Sequence, residues 1–349
     1  MSIKLSICIP TYNFGSFIGD TLKSIIDQIC EGVEIVVVDG ASTDNTSDVV
    51  EKYQAIFPRI TYCVLDKKGG IDNDLAKTVS LSKGEYCWFF SADDIMRPNA
   101  IEKVLNEIRG NLDIYLCGFT LSSFDMQPIV DHNILSTKSE IIFSLSDAQE
   151  RIEYFRRSQT TTEFFSFCSS LVFRKVKWDS VKPDDSFIGT CWAHSARIFR
   201  MLPNGLRVKY VPGPLLFKRC DNDSFSDKGL INRMRISVDG YHRIADVFFG
   251  ENSEEAFHIR RCVRAEWPLE QIIKMKMNCL ANKNTSELMM LNELVNRHYA
   301  DASILNKVSR IVYYHANLKV YMALRVTVNK TKAKIKPYYK SLKLRLSIQ

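Results

Sequence analysis

Short apolar runs alternate with stretches of helical spacing through the first 120 positions. Residues 5–9 are an apolar strand candidate, ended by Pro10. In residues 16–29, Ile18, Leu22, Ile25, Ile26 and Ile29 share one helical face, and Gly32 breaks the pattern. Residues 34–38 are β-branched and nearly continuous, as in a strand buried on both faces. Residues 42–45 offer cap residues for a helix carrying Val49, Val50 and Tyr53. Residues 60–65 predict a third strand, followed by Gly69 and Gly70. A helix over 72–82 ends near Gly84, and residues 86–90 form the fourth strand. Pro98 opens a helix with Ile101, Val104, Leu105 and Ile108 inward and Gly110 at its end, before a fifth strand over 114–119. This alternation predicts an α/β fold, a mostly parallel sheet with helices on both faces.

Past residue 120 the pattern loosens. Residues 169–174, 209–211 and 215–219 read as strands, the last two separated by Pro212, Gly213 and Pro214. From about 228 only helical periodicity remains; Val308, Ile311, Leu318, Met322 and Val326 share a face that His315 interrupts. The expected division is a catalytic domain over 1–225 and a helical region over 226–349.

Composition is that of a globular protein, 46% hydrophobic and 25% charged. The ten cysteines show no CxxC spacing, which argues against a zinc site or redox pair and suits a reducing compartment. The N-terminus runs straight into a strand pattern without a signal-peptide layout. No stretch approaches the ~18 to 20 apolar residues of a membrane span. The expectation is a cytoplasmic protein. The net charge of +7 is uneven: no Asp or Glu follows Asp301, but eleven Lys and Arg do. A mildly acidic body thus carries a strongly basic tail. The tail matches no nucleic-acid-binding motif.

Ligands of an open parallel sheet bind beyond the carboxyl ends of its strands. Four predicted strand ends carry polar turns: Pro10-Thr11-Tyr12-Asn13, Asp39-Gly40-Ala41-Ser42, Asp66 to Gly70, and Ser91-Ala92-Asp93-Asp94. A Rossmann dinucleotide site needs GxGxxG after the first strand, where this chain has PTYNFG; a Walker A loop is also absent. Adjacent carboxylates repel each other and repel bare phosphate. A phosphate ester with Mg²⁺ or Mn²⁺ satisfies both, because carboxylates and phosphate oxygens share hard cations. Tyr12 offers a ring for a base, and Asp39 an acceptor for an N–H. The pattern reads as a nucleoside diphosphate plus a metal held by Asp93 and Asp94.

The segments LSICIPTYN (5–13), VEIVVVDGASTDNT (33–46) and KGEYCWFFSADD (83–94) resemble, in order and spacing, the family 2 glycosyltransferases of GT-A fold. The resemblance covers roughly residues 1–120. It implies that Pro10, Thr11, Tyr12 and Asp39 hold the nucleoside, and that Asp93 and Asp94 bind ribose, diphosphate and metal. Many members have D-x-D-D at the last motif; this chain has Ser91 first. In place of the usual Arg-Asn-rich stretch stands GGIDNDLAKTVSLSKGEYCW, which looks like the O-antigen branching subgroup, such as abequosyltransferases that use CDP-3,6-dideoxyhexoses. SFIGTCWAH (186–194) and FKRCDNDSF (217–225) look like that subgroup too. Gly70, Asp72, Asp74, Ser91 and Arg219 then join the donor site; acids favoured at a helix N-terminus are the alternative for Asp72 and Asp74.

Inverting transfer needs a carboxylate to take the acceptor's proton. The family's E-D pair aligns with Thr190 and Cys191, so the candidates nearby are Asp184, Asp185 and His194. Without a base, the leaving phosphate takes the proton, with retention. The resemblance implies a bacterial glycosyltransferase of lipopolysaccharide biosynthesis acting on a polyprenyl-linked oligosaccharide. The basic tail would hold it peripherally on the inner membrane face. The alternatives are a family 2 enzyme using a UDP-, GDP- or dTDP-hexose and a non-catalytic partner in an assembly complex. A sugar nucleotidyltransferase would want a Gly-rich, Arg/Lys-bearing loop where PTYNFG stands.

Overall fold

The computed structural model describes residues 2–321, apart from residues 133, 136–138, 224, 226–227, 302 and 320. Strands β1 (Leu5–Thr11), β2 (Val33–Asp39), β3 (Ile60–Val64) and β4 (Tyr86–Phe89) lie parallel in the order β3-β2-β1-β4. Helices α1 (Ile18–Ile26), α2 (Thr46–Ile56) and α3 (Ile71–Leu81) connect them in sequence. All of β2 and all of β1 but Pro10 are buried, which is why both read as continuous apolar runs. The exception in β2, Glu34, is also buried. Its Oε1 accepts from the Ser6 hydroxyl at 2.7 Å and the Lys83 amide at 2.6 Å, so the charge does not sit unpaired in the core.

Beyond β4 come β5 (Ile95–Met96), α4 (Ala100–Glu107), β6 (Ile114–Ser122), β7 (Pro128–His132), β8 (Ile141–Ser144) and α5 (Ala148–Arg157). Then follow β9 (Leu171–Arg174), α6 (Lys175–Asp179), α7 (Ala193–Phe199) and β10 (Arg207–Arg219). β9 inserts antiparallel between β4 and β6, and β10 runs parallel to β6. The sheet is therefore mixed, flanked by helices. This reversal brings the start of β9 to the edge where β1, β2, β4, β6 and β10 end. The two strands expected around Pro212 and Pro214 form one strand. Proline cannot donate to a ladder, and the register shifts between Val211 and Leu216 absorb both prolines as a bulge.

The remaining described elements are helices: α8 (Leu230–Phe249), α9 (Glu254–Glu266), α10 (Leu269–Ala281), α11 (Thr285–His298) and α12 (Ile304–His315). The described residues form two compact units, one within 2–227 with 239–266 and one within 228–238 with 267–321. In the second unit the Lys276 ammonium donates to the carbonyls of Tyr313 (2.6 Å), Tyr314 (3.2 Å) and Ala316 (3.0 Å). A cation on the last carbonyls caps the helix. α12 thus ends at His315, and the longer face expected from Val308 to Val326 breaks there. Met322, Val326 and the basic residues from Arg325 onward lie outside the described residues.

Candidate active site

Thr11 and Asp39 are level neighbours at the ends of β1 and β2, and Asp39 pairs in register with Val64 at the end of β3. Asp39 is buried. Its Oδ1 accepts from the Ser42 amide at 2.7 Å and its Oδ2 from the Tyr62 hydroxyl at 2.8 Å. The carboxylate is thereby fixed in orientation, with a lone pair left on each oxygen. Pro10 precedes in β1, paired with Val38. The Lys68 ammonium lies 3.7 Å from the centroid of the Tyr12 ring, a cation–π contact.

Gly70 caps α3 with φ +83°, a conformation that only glycine adopts without strain. Two acids follow in the first turn and diverge in role. Asp72 accepts from the amides of Gly189 (2.9 Å), Cys191 (3.0 Å) and Ala193 (3.0 Å). It ties the turn before α7 to α3. Asp74 makes no such contact: it is buried, and its Oδ1 accepts no hydrogen bond. Burial and the charge of Asp39 push its carboxyl up to about 6, with Lys68 pulling the other way.

The second cluster stands at the end of β4. Asp93 Oδ1 accepts from the Ser91 hydroxyl at 2.5 Å and Oδ2 from the Asn222 amide at 2.8 Å. Asp94 Oδ2 accepts from the Ser169 hydroxyl at 2.6 Å and Oδ1 from the Arg219 amide at 3.1 Å. Burial, then the neighbouring Asp93 charge, push the Asp94 carboxyl up to about 7. The Arg219 guanidinium donates to the carbonyls of Asp93 and Phe124 and lies 4.9 Å from the Phe17 ring centroid. A positive group thus stands beside the paired acids, as their strand-end position demanded. Ser169 and Asn222 were not expected from the sequence. They arrive from the start of β9 and the turn after β10, over 70 and 120 residues away, and only the sheet order brings them in.

Among the described residues no three His, Cys, Asp or Glu side chains gather as a metal cage. The donor set is a carboxylate pair. A hard cation is commonly held by one or two carboxylates, with phosphate oxygens and water completing its shell, so these residues fit a cation shared with a diphosphate.

The acceptor-side candidates differ among themselves. Asp184 Oδ1 accepts from the Ser186 amide and hydroxyl, and Oδ2 pairs with Arg200 at 2.6 Å. Ser186 and Arg200 hold this carboxyl below the usual range, which weakens it as a proton acceptor. Asp185 is exposed. His194 is buried on α7, edge-on to Phe89 and 3.8 Å from the Cys168 sulfur. Burial lowers its pKa and keeps the ring neutral.

Comparison with known proteins agrees with this architecture. Residues 6–179 match the family model described as glycosyl transferase family 2. The chain is 31% identical over 257 residues to the abequosyltransferase RfbV of Salmonella typhimurium, covering 71% of this chain and 76% of that protein. The S. aureus TarS structure (residues 1–349, with UDP-GlcNAc) superposes with a TM-score of 0.63 at 14% identity, covering 92% of each chain. The mannosyltransferase PcManGT from Pyrobaculum calidifontis, with GDP-Man and Mn²⁺, superposes with a TM-score of 0.51 at 16% identity, over 97% of this chain and 83% of that one. The chain belongs to glycosyl transferase family 2 and is a glycosyltransferase of GT-A-like fold.

Proposed function

We propose that the enzyme transfers a sugar from a nucleoside-diphosphate donor to a lipid-linked oligosaccharide of the O-antigen type. The donor is a CDP-3,6-dideoxyhexose such as CDP-abequose, in keeping with the similarity to an abequosyltransferase. One observation carries the reading: the Asp93–Asp94 pair with Arg219 at the end of β4, next to the Thr11 and Asp39 ends of β1 and β2. Thr11, Tyr12 and Asp39 hold the nucleoside, and Arg219 faces the diphosphate. Asp93 and Asp94 are the residues that would hold Mg²⁺ or Mn²⁺, which when bound neutralises charge on the departing diphosphate. The Asp94 carboxyl is raised by burial and then by its neighbour's charge, and such a cation would relieve the second of these.

A thermal-shift screen of CDP-, UDP-, GDP- and dTDP-sugars, with and without Mn²⁺, tests this. A CDP-sugar is expected to raise the melting temperature most, only with the metal, and Asp93→Ala is expected to abolish the rise. No response to any nucleotide sugar would sink the reading. Slow hydrolysis of the bound donor separates an enzyme from a non-catalytic partner.

A further inference from the structure

Lys218 is a half-buried cation near the acid pair with no oxygen to hold it. Its ammonium lies 4.5 Å from the Phe167 ring centroid and 5.7 Å from that of Phe119. Among the described residues it meets no hydrogen-bond acceptor. Cation–π attraction keeps such a group in place but leaves its three N–H donors unused. Strand register defines what surrounds it. Lys218 of β10 and Val130 of β7 both stand level with Leu121 of β6. Two residues back on the same face, His132 stands level with Phe119 and stacks on its ring at 4.6 Å. Val130 is 54% exposed, and Leu121, Phe167 and His132 are half-buried. The result is an apolar surface that carries one ammonium and one imidazole. It abuts the acid pair. Lys218 immediately precedes Arg219, whose amide holds Asp94 Oδ1, and its charge acts on the Asp94 carboxyl. Phe167 stands two residues before Ser169, which holds Asp94 Oδ2. Cys168 between them is 3.8 Å from the His194 ring.

We propose that this surface takes one pyranose ring of the acceptor, with the Lys218 ammonium hydrogen-bonded to the ring's hydroxyls. The proposal rests on the donor-site reading above. It adds the residue that holds the second substrate. That reading fills the ends of β1, β2 and β4 with the nucleotide and its metal. In the sheet order β9, β6 and β10 come next, on the side of the acid pair that the nucleotide leaves open. A pyranose matches the surface on both counts. Its C–H bonds carry a small positive charge and pack against aromatic and aliphatic side chains. Its hydroxyl oxygens accept from a cation. A lipid chain would leave the three donors unpaired. A diphosphate would satisfy the donors without using the apolar surface.

Loss of a hydrogen bond to a charged group weakens binding about 10- to 100-fold. Saturation-transfer NMR on the full-length protein, with CDP and Mn²⁺ present, gives the test. The probes are the methyl α-glycosides of glucose, galactose, mannose and rhamnose, offered singly. At least one is expected to receive saturation from the wild type. Lys218→Met keeps an apolar stem on the two rings and removes the donors. It should weaken that glycoside by the stated factor, while calorimetry gives an unchanged affinity for CDP with Mn²⁺. Val130→Glu, at an exposed position, offers the ammonium a carboxylate and should weaken the glycoside by an independent route. No saturation of any glycoside in the wild type, or equal saturation in both variants, overturns the assignment. Weaker CDP binding by Lys218→Met at an unchanged melting temperature assigns the ammonium to the diphosphate and also overturns it. A wild type that fails to bind CDP overturns the donor-site reading and this one with it, whereas one that binds CDP but no glycoside overturns only the acceptor assignment.

Discussion

At the scale of single residues, the acceptor side turns on which carboxylate has a proton-accepting oxygen to offer. Asp184 has both oxygens engaged by Ser186 and Arg200, which favours its charged form. His194 is enclosed by Phe89 and Cys168. Asp185, next in the chain and exposed, is the remaining acid of the loop. If the reaction inverts, Asp185→Asn should lower turnover ~10²- to 10⁴-fold, the usual loss of general-base help, with donor affinity unchanged. Asp184→Asn should cost thermal stability through the lost Arg200 pair and change turnover less than tenfold. Near-normal turnover of Asp185→Asn removes the carboxylate base. Product NMR should then show retained anomeric configuration, the outcome of a base-free route through the leaving phosphate.

At the scale of elements, the parallel half of the sheet was legible because strands buried on both faces leave uninterrupted apolar runs, and their polar ends stand out. Asp39, Asp93 and Asp94 were readable for that reason. The antiparallel insertion of β9 was not, because four residues carry no sign of their direction, and with it went the partners Ser169 and Asn222. A further acid was missed. Glu163, in a 3-10 turn between α5 and β9, is the sole charged residue between Arg157 and Arg174, a signal that could have marked it as buried. Its carboxylate accepts from the amides of Gln159 and Thr160 and from the Thr160 hydroxyl, yet burial prevails and pushes it up to about 8. An unfolded Glu titrates near ~4.3. The folded protein thus retains a proton that the unfolded chain releases. The contribution is fully present below that value and is lost as pH rises toward 8, at no more than ~1.4 kcal/mol per pH unit. The raised carboxyls of Asp94 and Asp74 add slope of the same sign. Glu163→Gln keeps an acceptor for both amides. It should flatten the fall in urea-melt stability between pH 5 and 8, and equal slopes for the two proteins would remove this role.

At the scale of the whole molecule, charge and apolar surface concentrate toward the C-terminus. Ile304, Leu305, Val308, Ile311 and Val312 of α12 are all exposed. No helix among the described residues is long and apolar enough to cross a membrane. After α12 the sequence holds Lys and Arg without a single Asp or Glu. An apolar helix face and a polybasic segment are the two signals that together give stable but reversible attachment to an anionic bilayer, where either alone is marginal. Each Lys or Arg near such a surface contributes about 1 kcal/mol. A lipid-linked acceptor would be met at that surface, which is the reason to place the enzyme there. The wild-type protein should float with vesicles containing anionic lipid and dissociate partly as salt is raised, because screening weakens only the charge component. Deleting residues 329–349 removes seven basic residues and should move the protein to the soluble fraction at low salt. Val308→Asp with Ile311→Asp should weaken binding while preserving its salt dependence. If the deletion leaves partitioning at low salt unchanged, the tail is a solvated extension and the enzyme meets its acceptor by another surface.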